Sequence, residues 1–299
     1  MLKFSRFEIA ANPMFITSAS LQQYLLPLIQ DGIFWNQPKT IKEVSKEQAD
    51  ILSQRTGFKL SIDYSDQEQN EALAYYFAYG TLMYDDYPWY FNTKSFLNNF
   101  KSAEANPSII AHFMHINSGG GLAYFLDVVH REVSNRQKPL VVQCEMNMCS
   151  AALYLGSPAN KLNCTTQNDI VGSIGTMISF WDLKPYFEKA GFKWHEHYAE
   201  QSDFKNKRFN DLLDGNPDDF IKYELNPLAE QFIANIKLSR PEATGEELFR
   251  GQTYSASEAL DMKLIDAIQP ITESIAQAYT LGKDYAEKQK IQNNIKSFI

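Results

Sequence analysis

The groups best placed to do chemistry in this 299-residue chain fall in two short turns. One is the run Asn117-Ser118-Gly119-Gly120-Gly121, where absent side chains let backbone amides approach a ligand and donate hydrogen bonds. The other is Cys149-Ser150-Ala151-Ala152, with Ser150 at the start of a helical pattern. A serine there reads by itself as an N-cap; beside a base it becomes a nucleophile for acyl transfer. The glycine run would suit a phosphate if Lys-Ser/Thr followed it, as in a P-loop, and none does. Cys149 reads as a small buried packing residue. Ser173 follows Gly172 as a turn residue would. No histidine stands between Ser150 and His195, so a Ser-His-Asp arrangement lacks its base soon after the serine. His195 and His197 alternate as on a strand and supply one arm of a metal site, without a second ligand pair of recognisable spacing.

The elements around these turns repeat. SIIAHFMHI, an apolar run of strand length, enters the glycine turn, and LAYFLDVVHREV leaves it with apolar residues at helical spacing. KPLVVQCEM is a strand, MCSAALYLGSPAN opens a helix, KLNCTTQ is a short strand and DIVGSIGTM an apolar segment with two glycines. Upstream, ALAYYFAYGTLM reads as strand and turn and FNTKSFLNNFKSAEA as a helix; Leu21 to Ile29 is helix-like. Downstream, PDDFIKYELNPLAEQFIANIKLSR reads as one long helix despite Pro227, GEELFRGQTYSASEALDMKLIDAI as helix, turn, short helix and strand, and the tail from Thr272 as a charged helix. Strands alternating with helices predict an α/β fold with a largely parallel sheet, because parallel neighbours need crossover helices. In such sheets reactive groups gather at the carboxyl ends of strands, where both turns lie.

Composition narrows the function. With 44% hydrophobic residues the chain can bury a large core as one domain or two. A net charge of -8 argues against nucleic acid as a partner, since phosphate binding needs clustered Lys and Arg. Cys144, Cys149 and Cys164 are odd in number and sparse, which fits a reducing, cytoplasmic setting. The N-terminal sequence has no apolar run fit for a signal peptide or a membrane span, so no membrane partner is expected. The aromatic cluster YFAYGTLMYDDYPWYF suits core, oligomer contact or the lining of a substrate groove.

From about Ala74 to Ile268 the chain resembles the SppA peptidases (signal peptide peptidase A, or protease IV), within the ClpP and crotonase fold group. That family's Asp/Asn-Ser/Thr-Pro-Gly-Gly turn is similar to Asn117–Gly121, its nucleophile segment to Cys149-Ser150-Ala151-Ala152, and its Gly-Ser-Ile-Gly stands here as Gly172-Ser173-Ile174-Gly175. Its Gly/Ser-x-x-Lys resembles Ser202-Asp203-Phe204-Lys205. Its later motifs match Gly251-Gln252-Thr253-Tyr254 and Ala259 to Asp266. Two positions depart: Gly119 replaces the usual proline and Ala152 the usual glycine. The MNMCSA segment resembles the phage head-maturation branch, which acts on scaffold and capsid proteins.

The resemblance implies repeated ββα units and a peptidase domain over 71–270, with an extension at 1–70 of open role and a helical tail at 271–299. It implies Ser150 as nucleophile and Lys205, with Lys207 as the alternative, as a base made neutral by burial. Ser173 would orient the amine, and the amides of Gly121, Ala151 and Gly120 would form the oxyanion hole. No cofactor or metal is called for. The implied partners are protein or peptide substrates, with phage scaffold and capsid proteins as one class, and further copies in a homo-oligomeric ring. Alternatives are a cellular peptidase clearing membrane-released or misfolded peptides, a non-catalytic ring-forming assembly module, and a crotonase-like acyl-CoA enzyme.

Overall fold

The computed structural model describes residues 14–16, 39–65, 71–84 and 90–297. The helix-like stretch 21–29 and residues 85–89 of the aromatic cluster lie outside the described residues. The elements run β1 (Met14–Ile16), α1 (Ile41–Thr56), β2 (Leu60–Ser61), β3 (Ala72–Tyr79), β4 (Leu82–Met83), β5 (Phe91–Asn92), α2 (Thr93–Ala105), β6 (Ile109–Ser118), β7 (Gly120–Leu122), α3 (Leu126–Ser134) and β8 (Leu140–Cys149). They continue as α4 (Ala151–Gly156), β9 (Lys161–Cys164), β10 (Ile170–Gly172), α5 (Lys184–Lys189), α6 (Lys207–Leu213), α7 (Asn226–Ser239), β11 (Thr253–Ser255), α8 (Ala256–Asp261), β12 (Ala267–Ile268) and α9 (Ile271–Ser297).

The main sheet has the order β11-β10-β8-β6-β3-β2, with β9 and β12 branching from β8. Its pairs are parallel except β10 with β11. This is the expected α/β fold with a largely parallel sheet. β3 and β6 are buried at nearly every position, as strands covered on both faces must be. On β3, Ala72, Ala74, Tyr76 and Ala78 face a core filled by α2, α3, α4, α7 and α8, whereas Leu73, Tyr75 and Phe77 face one filled by α1 and α9. A Cβ at Gly282 would sit 2.9 Å from Ile110 Cγ1, so the absence of a side chain lets α9 settle directly on β6. A second sheet, β1-β7-β4-β5, carries the glycine run.

Residues outside 71–270 join these layers: β2 pairs with β3, α1 packs on the sheet, and α9 lies across β6 and β8. Three elements differ from their sequence-based outlines. The helix after the glycine turn starts at Leu126, because Gly120–Leu122 pairs as a strand and Phe125 bends the chain at φ 70°. The long helix read despite Pro227 runs on from Asp218 to Ser239, with a wider π-helical turn, Ile221–Leu225, just before Pro227, where the proline ring and its missing N–H disturb the regular ladder. The segment read as a turn at 251–254 contributes β11, an antiparallel edge.

Candidate active site

β8, which leads into Ser150, is irregular just before it. Cys144 pairs with Ile116 of β6 and Cys164 of β9, but farther along Ser118 pairs with Met148, and Cys149 pairs with Gly172 of β10. Met146 takes a positive φ of 71° within this slip. Such a bulge bends a strand and re-aims the residues beyond it. It brings Ser118, and therefore β7, level with the end of β8. The Ser118 hydroxyl accepts the Gly120 N–H at 3.1 Å and pins the turn. At Gly121 a Cβ would fall 2.0 Å from Leu82 O, so the glycine is required by the backbone of β4 rather than by a ligand.

Ser150 has φ 54° and ψ -120° between β8 and α4. Its side chain does not cap α4, which removes the N-cap reading. The residue is 1% exposed and its Oγ has no hydrogen-bond partner among the described residues. An L residue held at this backbone conformation is strained, and strain of this kind on a sharp strand-to-helix turn presents a nucleophile. The turn is locked by the Ser150 N–H donating to Gly172 O at 2.7 Å. The first helical bond runs from Tyr154 N–H to Ser150 O at 2.9 Å, which leaves the amides of Ala151 and its next neighbours without intrahelical partners.

The Gly172-Ser173-Ile174-Gly175 segment lies along Gly251–Tyr254. Ser173, at φ 55°, donates its N–H to Gln252 O at 2.7 Å, and a Cβ on Gly172 would collide with that same oxygen. No hydrogen bond joins the Ser173 hydroxyl to Ser150. Sequence reasoning missed Tyr254 as a site residue: it is buried beside Gly172, with a hydroxyl that makes no hydrogen bond among the described residues. The Gly-x-x-Tyr spacing pointed to it without giving it a role.

Ser150, Ser173 and the glycine strand are thus brought together, whereas the Lys205 amine makes no hydrogen bond to Ser150. Lys205 follows the 3-10 turn Glu200–Ser202, is exposed, and makes no ion pair or hydrogen bond through its amine among the described residues. The burial expected of it is not supplied among the described residues, because the 177–216 segment has little core of its own. Trp181 is 70% exposed, Trp194 71% and Phe204 78%. Lys207, also exposed, pairs with Asp211 at 2.8 Å, and that hydrogen bond raises its pKa, the direction opposite to the one a base requires. Burial lowers Lys138 to about 8, but its amine donates to Ala103 O and Asn106 O, each at 2.6 Å. It precedes β8, while Ser150 follows it, so the two stand at opposite ends of that strand.

The other candidates have structural explanations. Burial pushes the Cys149 thiol up to about 12, so it packs rather than reacts. Cys144, Cys164 and Asp169 cluster within 4.8 Å, but the Asp169 carboxylate already accepts Thr165 N–H at 2.7 Å, Thr166 N–H at 3.0 Å and the Thr166 hydroxyl at 2.8 Å. His195 and His197 are exposed on the same segment as Lys205. Asp266, last of the motif residues, pairs with the buried Arg240 at 2.8 Å and accepts the Leu162 N–H, a structural role.

A model of Peptidase family S49 matches residues 132–284, just over half of the chain. The chain belongs to Peptidase family S49. Protease 4 of Haemophilus influenzae is 24% identical over 186 residues, 60% of this chain and 30% of that protein. The chloroplastic serine protease SPPA of Arabidopsis thaliana is 24% identical over 194 residues, 61% of this chain and 27% of that protein. The match thus spans under a third of the length of these relatives. Among solved structures, a membrane-bound stomatin-specific protease aligns with a TM-score of 0.42 at 12% identity, covering 68% of this chain and 83% of that one. An enoyl-CoA hydratase/isomerase family protein from Silicibacter pomeroyi aligns at 0.38 and 11%, covering 65% and 71%. The S49 match takes in the Ser150 turn, the Gly172–Gly175 segment, Lys205 and Tyr254, and it begins after the glycine strand. No described helix is long and apolar enough to cross a membrane.

Proposed function

We propose that the chain is a serine endopeptidase in which Ser150 attacks the peptide carbonyl and Lys205 is the base. The observation that carries this reading is the strained, buried strand-to-helix turn at Ser150, with its unpartnered hydroxyl beside the glycine strand. Lys205 takes the proton from Oγ as the Oγ–C bond forms, then delivers it to the leaving amine as the C–N bond breaks. Water attacks the acyl-enzyme with Lys205 again as base. The amides of Gly121 and Ala151, with Gly120 behind them, hold the tetrahedral oxyanion; losing one such donor costs about a hundredfold or more in kcat. Ser173 orients the amine.

Lys205 can act only where its amine loses water, because desolvation is what disfavours the ammonium form. The exposed aromatic segment that carries it supports assembly as the means: monomers rarely leave so much apolar surface in water. In this reading the working unit is a homo-oligomeric ring, and packing of the Trp181–Phe204 segment against another copy encloses Lys205. The substrates are proteins or peptides. Scaffold and capsid proteins of a phage head are the class that the MNMCSA resemblance supports, and a cellular peptidase role uses the same site. Incubating the oligomer with an unfolded protein substrate should give Ser150-dependent cleavage, abolished in Ser150→Ala; cleavage that persists in that variant sinks the assignment. A second reading, a ring-forming module without catalysis, draws on the exposure of Lys205 and on a Ser150 hydroxyl bonded to no base among the described residues.

A further inference from the structure

The glycine strand β7 has two edges. One meets β4 through Leu82↔Gly121, in parallel. The other is taken by the chain's own β1, which runs antiparallel with Met14 opposite Leu122, Phe15 opposite Gly121 and Ile16 opposite Gly120. β1 also lies against α4, the helix that Ser150 starts, and β7 packs on that same helix. The free edge of a strand is a row of unpaired N–H and C=O groups to which an extended peptide adds as a further strand. A peptide added to this edge of β7 would pass Gly121 next to the Ser150–Ala151 turn. That is the path the proposed peptidase requires, and three residues from the N-terminal part of the chain already occupy it.

We infer that residues 14–16 are a built-in competitor for the peptide-binding edge, so that the chain is held in a self-blocked state until this segment leaves β7. The inference rests on the serine peptidase reading. The block is a pre-equilibrium: peptide binds only the fraction of molecules with β1 detached, which raises the apparent KM by the reciprocal of that fraction and leaves kcat unchanged. The backbone does the pairing, so the block is released by removing backbone donors. Successive residues of an antiparallel strand alternate in donating to the partner, and proline cannot donate. The double substitution Phe15→Pro/Ile16→Pro therefore removes the bond in either phase.

The test uses the full-length protein with and without this double substitution, and a pair of readouts. A small serine-reactive fluorophosphonate needs no strand pairing and reports whether Ser150 is competent. Hydrolysis of an extended peptide substrate reports access to β7. The expected result is similar labelling of Ser150 in both proteins and a KM for peptide about tenfold lower in the proline variant, with kcat unchanged. A synthetic peptide spanning Ala10 to Ser20 should restore the block in trans. Amide hydrogen exchange at the β7 amides that face β1, rather than at Gly120 N–H held by Ser118, should be slow in the unsubstituted protein and faster in the variant. Equal KM values with intact labelling, or exchange at the β1-facing amides of β7 that is no faster in the variant, overturn the self-block and leave the peptidase reading standing. No labelling at Ser150 in either protein overturns both.

Discussion

Replacing the proposed nucleophile should make this protein more stable. Ser150 carries a pair of costs with no visible structural return: a buried hydroxyl without a partner among the described residues and a positive φ of 54° on a residue other than glycine. An unsatisfied buried polar group costs about 1–3 kcal/mol. Ser150→Ala removes it and leaves the backbone strain, so unfolding free energy should rise by about 1 kcal/mol or more. Ser150→Gly also relieves the strain, about 1–3 kcal/mol, against about 0.5–1 kcal/mol of extra backbone entropy. The glycine variant should then exceed the alanine variant by about 1 kcal/mol. Urea unfolding followed by tryptophan fluorescence, at matched m-values, measures both differences. The order expected is glycine, alanine, then serine. If both variants are less stable than the serine protein, the hydroxyl is engaged and the turn unstrained, and the inference from strain to function fails.

Further outcomes rest on named contacts. Gly121→Ala would drive a Cβ into the backbone of Leu82; β7 must shift off β4, and activity at Ser150 should drop by about a hundredfold or more as the oxyanion geometry goes, read as kcat. Asp266→Ala leaves the buried guanidinium of Arg240 without its carboxylate, bonded only to the carbonyls of Ser157 and Ala159; removing one half of a buried pair costs up to about 3–5 kcal/mol, seen as a lower urea midpoint with no change in the reactivity of Ser150 in the folded protein. Burial between Ser134, Ser157 and Ser239 lowers His130 from 6.5 to about 4. The unfolded chain therefore binds this proton first, and stability should fall as pH drops from 6.5 to about 4, by on the order of 3 kcal/mol. His130→Gln should flatten that part of the stability–pH profile; an unchanged slope would show that other groups set it.

Much of the scaffold could be read from the sequence because its determinants are local. The strand runs at 72–79, 109–118 and 140–149 and the turns after them are written in apolar periodicity and glycine placement. The glycine run and the Ser150 turn could be placed near each other because parallel strands end on one side of the sheet, whereas only the family resemblance brought Ser173 to them. What escaped depends on contacts far apart in the chain. The bulge at Met146 is set by pairing of β8 with β6 on one side and with both β9 and β10 on the other. The strand role of Thr253–Ser255 exists because β10 offers an edge. The strict need for glycine at 121 comes from Leu82, far upstream. The burial expected of Lys205 is absent for the opposite reason: a motif fixes its place in sequence, but the groups that would desolvate it are not found among the described residues.

The most direct measurement of the central claim is fluorophosphonate labelling of the assembled protein across a pH series, mapped to the residue, with Ser150→Ala and Lys205→Ala alongside. Labelling confined to Ser150, and abolished in Lys205→Ala although that exposed substitution leaves folding stability intact, is the result the dyad predicts. Labelling at Ser150 that is indifferent to Lys205, or none in any oligomeric state, would contradict it.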